Sequence, residues 1–177
     1  MSPVSTAPSF LQRLFGRADP RDTMRLLYDA VIAEGRRPHW YVEGAVPDTL
    51  DGRFDMIVAI LSLLLVRLEQ VGARQEAVWL TELFVNDMDG QLRQEGIGDV
   101  VVGKHIGRMM SALGGRTGAY RAALVDGADL REALRRNLYR GESVADEAVD
   151  HVEAALRQRW TRLGCLGQEA LMAGDLG

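Results

Sequence analysis

The amino-acid sequence predicts an all-α protein, a single-domain helical bundle of about six to seven helices around a central apolar helix. Apolar residues recur at the i, i+3, i+4 and i+7 spacing of a helix face along most of the chain. Residues 100–102, three consecutive valines, would suit a strand, but no partner strand is apparent. A chain of 177 residues is long enough to bury its own core.

Three regions are predicted: an N-terminal segment over residues 1–18, a helical domain over 19–166 and a C-terminal tail over 167–177. In the first region, four apolar residues lie on one side of a helical wheel, with arginines near its edge. Two interpretations are open, contact with a membrane surface and packing on the domain. The four residues are Phe10, Leu11, Leu14 and Phe15.

The first predicted helix contains Met24 and Leu27, begins near Pro20 and ends at Gly35. An extended loop of about 15 residues should follow, a length that is usually functional or held in place by its side chains. Trp40 and Tyr41 are the aromatic residues expected to pin it.

The second predicted helix, residues 51–71, is apolar on nearly all sides, which is typical of a helix surrounded by others. Its most apolar stretch, residues 56–66, is well short of the ~20 residues that span a bilayer, so it should be the central helix of the core. No secretory signal is apparent at the N-terminus.

The third predicted helix, residues 74–93, places Asp87 inside the apolar stripe and Asp89 on the opposite face, where it can pair with Arg93. A carboxylate on a buried stripe needs a donor. Two readings of Asp87 are open: a structural group that meets an arginine or a helix N-terminus, and a functional carboxylate.

Glycines divide the rest of the chain into shorter predicted helices. Residues 96–99 should end the third helix, and Gly114 and Gly115 should end the next one, which carries Ile106 and Leu113. Three more helices are expected over residues 117–125, 130–139 and 144–163.

The residue types argue against an enzyme. The three histidines are isolated and there is one cysteine, Cys165, so neither a zinc cluster nor a disulfide framework is expected. Neither a P-loop nor a nucleophile elbow occurs. A net charge of −4 argues against general nucleic-acid binding and against DNA as a partner. Catalytic, cofactor and metal sites are therefore expected to be absent.

Charge is unevenly distributed. Residues 76–99 hold six acidic side chains and one arginine, whereas residues 104–140 hold eight basic and three acidic ones. The two regions could be neighbouring surfaces that attract one another. Alternatively, the second could be a basic face for a partner, such as an acidic protein loop, anionic lipid or ribosomal RNA.

Several segments, in order and with compatible spacing, resemble the ubiquinol–cytochrome c chaperone family over roughly residues 20–165. At Leu113 and Gly114 the family tends to have an aromatic pair, and at Gly103 it commonly has proline. The segments that carry the resemblance are residues 46–55, 84–89, 92–99, 103–104, 115–116, 119–124 and 133–137.

The resemblance implies a small helical chaperone that holds newly made cytochrome b during assembly of the bc1 complex, without a cofactor of its own. The short N-terminus favours a bacterial member, cytoplasmic and peripheral on the inner membrane. Mitochondrial relatives associate with the inner membrane and the ribosomal exit site; contact of this chain with the ribosome, or with a second assembly factor, is an open question.

A client-holding protein should expose an apolar or methionine-rich groove, bordered by the basic region of residues 108–140. Two alternatives are a helical protein- or RNA-binding adaptor that uses the basic face, and an enzyme with Asp87 in an enclosed pocket. The candidate partner-binding residues are Asp87, Asp89, Arg93, Asp99, Lys104, Arg108, Arg116 and Tyr120; the candidate groove methionines are Met56, Met88, Met109 and Met110.

Overall fold

All secondary structure is helical in the computed structural model, which describes residues 20–94 and 99–177, with the backbone alone at 20, 22, 91–94 and 99–102. The predicted all-α class is therefore confirmed. Two predictions fall on other residues. The apolar residues of the N-terminal segment lie wholly outside the described residues, and the predicted break over residues 96–99 lies outside them except at residue 99. The elements are a 3-10 helix (Pro20–Met24), α1 (Arg25–Gly35), α2 (Pro38–Val42), α3 (Leu50–Gln70), α4 (Arg74–Gln94), α5 (Asp99–Leu124), α6 (Leu130–Asn137), α7 (Asp146–Cys165) and α8 (Gln168–Met172).

Helix α3 is the central helix, as its apolar composition predicts. Every residue from 55 to 66 is buried, on all sides of the helix. The helix packs against α1, α4, α5 and α7. Burial on every side explains why the sequence has no polar face here.

The start of α3 is defined by a side-chain cap and a close backbone approach. The Thr49 hydroxyl accepts a hydrogen bond from the Gly52 amide at 3.1 Å. A Cβ atom on Gly52 would lie 2.0 Å from the Pro47 carbonyl oxygen, so only glycine fits. Beyond the other end, Gly72 adopts φ +80°, the left-handed conformation that terminates helices.

The connection between α1 and α3 differs from the predicted extended loop because it contains the one-turn helix α2, with Pro38 at its start. The predicted aromatic pins are confirmed. Trp40 is buried and its indole N–H donates to the Glu34 carbonyl at 2.8 Å. The Tyr41 hydroxyl donates to the Gly35 carbonyl at 2.6 Å.

The prediction that Gly114 and Gly115 end a helix is wrong, because α5 runs without a break from Asp99 to Leu124. Each glycine weakens a helix by only about 0.5–1 kcal/mol relative to alanine. Leu113 and Tyr120 are buried on either side of the pair. Their packing on the core outweighs the local preference.

The C-terminal residues fold against the bundle. Leu171 and Leu176 are buried, and α8 packs against α1. The Arg159 guanidinium donates to the Leu176 carbonyl at 3.1 Å. Among the helices described, none combines the length and the apolarity required to cross a membrane.

Candidate functional site

A groove of about 1200 Å³ lies between α3, α4 and α5. Small and apolar residues from all three helices line it. Val78 is half exposed there, with 51% of its surface accessible. The small and apolar lining residues are Leu65, Ala77, Val78, Val85, Met110, Leu113, Gly114 and Gly118.

The groove exists because α5 presents glycines where side chains would otherwise fill the space. Gly114 and Gly118 both line it, and a Cβ atom at either position would meet no atom within 4 Å. Thr117 adds another small side chain to this wall. Backbone is thus exposed to an incoming ligand at two points one helical turn apart.

Charged residues surround the apolar lining. Arg121 forms an ion pair with Glu69, and Arg21 lies 3.8 Å from Glu82. Because these side chains are 37–48% exposed, the pairs contribute little to stability. Arg74 also lines the groove, so side chains of both charge signs line it together with the apolar residues.

A buried charge cluster lies at another position along α5. Its central residue is Asp55 of α3, which is fully buried. The Arg116 guanidinium donates to its Oδ1 at 2.7 Å and the Arg140 guanidinium to its Oδ2 at 2.5 Å. Arg140 also donates to Asp51 at 2.7 Å, and Arg116 to the Asn137 carbonyl at 3.2 Å. The cluster therefore joins α3, α5 and the turn after α6.

The electrostatics of this cluster follow from burial and pairing. Burial raises the pKa of Asp55, and the two guanidinium groups oppose that shift. Arg140 has φ +54°, a left-handed backbone conformation uncommon for a residue with a side chain. Sequence reasoning missed Asp55 as a paired group; a carboxylate at the border of an otherwise apolar helix was the available signal.

Asp87 lies on the buried side of α4, as predicted, and is half-buried. Its donor was not foreseen: the Tyr28 hydroxyl of α1 donates to Asp87 Oδ2 at 2.7 Å. Burial and this hydrogen bond raise the pKa of Tyr28. The contact gives Asp87 a role in joining α1 to α4, and Asp87 does not line the groove.

The structure does not bring the other predicted partner-binding residues together at the groove. Lys104 and Arg108 are exposed on α5 and Asp89 is half-buried on α4. Tyr120 is fully buried, and its hydroxyl has no hydrogen-bond partner among the described residues. The side chains of Arg93 and Asp99 lie outside the described residues, as do Phe10, Leu11, Leu14 and Phe15.

The groove methionines also separate into two environments. Met110 lines the groove. Met56 and Met88 are buried in the core, and Met109, like Met110, is partly buried against it. Of the four predicted groove methionines, Met110 is therefore the one that lines the groove.

Most of the basic region is paired within the chain rather than presented as a basic face. Among the described residues, its partners come from α3 and α7, not from the acidic helix α4 that the charge pattern suggested. The pairs are Arg116 with Asp55, Arg121 with Glu69, Arg131 with Asp146 and Asp150, Arg135 with Asp146, and Arg140 with Asp51 and Asp55.

A family model described as "Ubiquinol-cytochrome C chaperone" matches residues 43–176. The chain belongs to the ubiquinol–cytochrome c chaperone family. A crystal structure of the Cbp3 homolog from Brucella abortus is 31% identical to this chain, with a TM-score of 0.75 and 94% of each chain covered. The resemblance read from the sequence is confirmed. No curated protein matches the chain.

The family match covers α3 to α8 and so includes nearly the whole groove. Of the groove residues, Arg21 alone lies outside the matched span. Asp55, Arg116 and Arg140 lie inside it. Both the groove and the buried charge cluster thus belong to the family's own region of the chain.

Proposed function

We propose that this protein is a non-enzymatic assembly chaperone that holds newly made cytochrome b during assembly of ubiquinol–cytochrome c reductase. In this proposal the groove between α3, α4 and α5 holds an apolar helix of the client. The protein works at the cytoplasmic face of the membrane into which the client inserts. Family membership supports the chaperone role.

The observation that carries the proposal is the size and lining of the groove. Its volume of about 1200 Å³ exceeds the ~300–1,000 Å³ of ordinary small-molecule pockets. Grooves that accept an amphipathic or apolar helix present apolar residues from neighbouring helices, as this one does. Gly114 and Gly118 allow the backbone of a bound helix to approach α5 closely.

Photo-crosslinking in cells that synthesise cytochrome b tests the groove directly. A photoreactive amino acid at Val78, 51% exposed in the groove, should crosslink to cytochrome b. The same group at Val125, 46% exposed but outside the groove lining, is the matched control. Crosslinks of equal yield at both positions would contradict the assignment of the groove.

A second test fills the groove without disturbing the fold. Gly118→Leu should keep the protein folded, since open space surrounds the position, but should reduce co-purification of cytochrome b and the level of assembled bc1 complex. Gly115→Leu is the control, because Gly115 lies on the same helix in open space but does not line the groove. Equal loss in both variants would exclude the groove as the client site.

Deletion of the gene distinguishes client-specific function from a general adaptor role. We expect less assembled bc1 complex in the deletion strain. When a tagged copy of the protein is purified from cells, we expect cytochrome b in the eluate. Normal bc1 levels together with an eluate that lacks cytochrome b would refute the proposed function.

A further inference from the structure

A second cavity, of about 330 Å³, lies between the α1–α2 connection and α7. His39 and Arg37 line one wall, and His151 and Arg162 line the other. None of its lining residues also lines the groove. A role for this cavity therefore does not depend on the client-binding proposal.

Two imidazoles meet at the cavity. His39 Nδ1 and His151 Nε2 are 3.0 Å apart, a hydrogen-bond distance at which one nitrogen carries the proton and the other accepts it. The opposite ring nitrogens, His39 Nε2 and His151 Nδ1, make no hydrogen bond to the described residues. One of these two outer nitrogens therefore carries a proton that it can donate to a ligand, and the other is an acceptor.

The arginines around the cavity differ in how fully they are used. Arg159 donates to Glu34 at 2.8 Å and to the Leu176 and Gly177 carbonyls at 3.1 and 2.6 Å. Arg37 and Arg162 each make one long contact of 3.5 Å, to Glu34 and to the Gly177 carbonyl. Most of their guanidinium donors are therefore available.

The charged side chains that line the cavity give a positive balance, and the backbone oxygen of Gly177 lies against Arg159 and Arg162. Three arginines line it against the single carboxylate of Glu34, which Arg159 already pairs with. Gln158 adds an amide. Donors that arrive from two walls suit a tetrahedral oxyanion better than a planar carboxylate, because the oxygens of a tetrahedral anion point in several directions. Guanidinium groups bind phosphate oxygens through charge-assisted, often bidentate, hydrogen bonds.

We propose that this cavity binds a phosphate group, carried either by a soluble phosphate ester or by a phospholipid headgroup. Arg37 and Arg162 supply charged donors, and the His39–His151 pair supplies the one ring N–H that is not used between the two imidazoles. The volume of about 330 Å³ is at the lower end for ligand pockets and leaves room for the small group to which the phosphate is esterified.

Calorimetric titration of the full chain with inorganic phosphate and with glycerol 3-phosphate tests the site. The double variant R37Q/R162Q removes the two available guanidinium groups and should weaken binding at least about tenfold. The matched control is R36Q/R157Q, which removes the same charge at exposed arginines that do not line the cavity. Circular dichroism verifies that both variants are folded.

Three results decide the matter. Selective loss in R37Q/R162Q, together with shifted ring proton signals of His39 and His151 on addition of phosphate, would support the site. Equal weakening in the control would show non-specific attraction to surface charge and overturn the proposal. The proposal would also be overturned if neither inorganic phosphate nor glycerol 3-phosphate binds the unmodified protein and vesicle binding is unchanged in the variants.

Vesicle flotation separates the two sources of phosphate. Binding to phosphatidylcholine vesicles that contain phosphatidylglycerol, reduced in R37Q/R162Q but retained in R36Q/R157Q, would identify a lipid headgroup. If glycerol 3-phosphate binds and the two variants bind the vesicles equally well, the phosphate is that of a soluble ester.

Discussion

Removal of the Asp55 carboxylate should be among the most destabilising single changes in the described part of the protein. Asp55 is fully buried and is contacted by two guanidinium groups, at 2.7 and 2.5 Å. In Asp55→Ala, the Arg116 side chain, 14% exposed, loses its carboxylate partner while it stays largely inside the protein. Breaking a buried pair in this way costs about 3–5 kcal/mol of unfolding free energy.

The two arginines should not be equivalent. Arg140 is 44% exposed and keeps Asp51 as a partner, so its own charge remains solvated in Asp55→Ala. In Arg140→Gln, Asp55 keeps Arg116. We therefore expect a loss of roughly 1–2 kcal/mol for Arg140→Gln, less than for Asp55→Ala.

Urea unfolding and thermal unfolding, both followed by circular dichroism, measure both changes. For a chain of this length, 1 kcal/mol corresponds to about 2–4 °C in Tm, so Asp55→Ala should lower the Tm by roughly 6–20 °C. Asp48→Ala is the control, because Asp48 and Arg53 form an ion pair at 2.6 Å that is exposed to solvent. If Asp48→Ala and Asp55→Ala shift the urea midpoint equally, the reasoning from burial is refuted.

Three further predictions concern individual residues of the bundle. Burial lowers the pKa of His39 from 6.5, so the folded protein resists protonation of this ring. The stability that depends on neutral His39 should be complete above pH 6.5 and decrease as the pH falls through the lowered pKa. Urea unfolding at several pH values should show that this dependence on pH is weaker in His39→Gln. Tyr28→Phe should lower the free energy of unfolding by about 1–2 kcal/mol, because the hydrogen bond to Asp87 is lost. In a double-mutant cycle, Asp87→Asn should destabilise the Tyr28→Phe variant less than it destabilises the unmodified protein. Full additivity of the two changes would contradict the contact. Gly52→Ala should lower the Tm, because the added methyl group lies 2.0 Å from the Pro47 carbonyl oxygen, whereas Gly115→Ala, in open space, should not.

Hydrophobic periodicity was sufficient to predict the elements whose burial is decided by their own sequence. Helix α3 is apolar on all sides, so its central place followed from composition alone. Trp40 and Tyr41 could be predicted as anchors because large aromatic side chains in a long loop are seldom left in solvent. Asp87 could be placed on the buried side of α4 from its angle to the apolar stripe.

Periodicity could not predict which residues meet across the bundle. Asp55 pairs with Arg116 and Arg140, which are 61 and 85 positions away, and Tyr28 meets Asp87 across 59 positions. A helical wheel gives the direction of a side chain but not the identity of the group that faces it. Arg116, predicted as a partner contact, therefore also has a structural role that only the three-dimensional arrangement reveals.

The failure of sequence reasoning at Gly114 has a physical connection with the candidate site. A pair of glycines within a helix locally favours a break, and α5 continues because residues on its other side hold it to the core: Arg116 to Asp55, and Tyr120 by full burial. That support allows glycine on the groove side, where a helix stabilised only by its own residues would use alanine or leucine. Local helix preference is therefore overridden at the positions that leave the groove open. The same argument explains why Gly118→Leu should leave the fold intact, or stabilise it, while it closes the groove to a client.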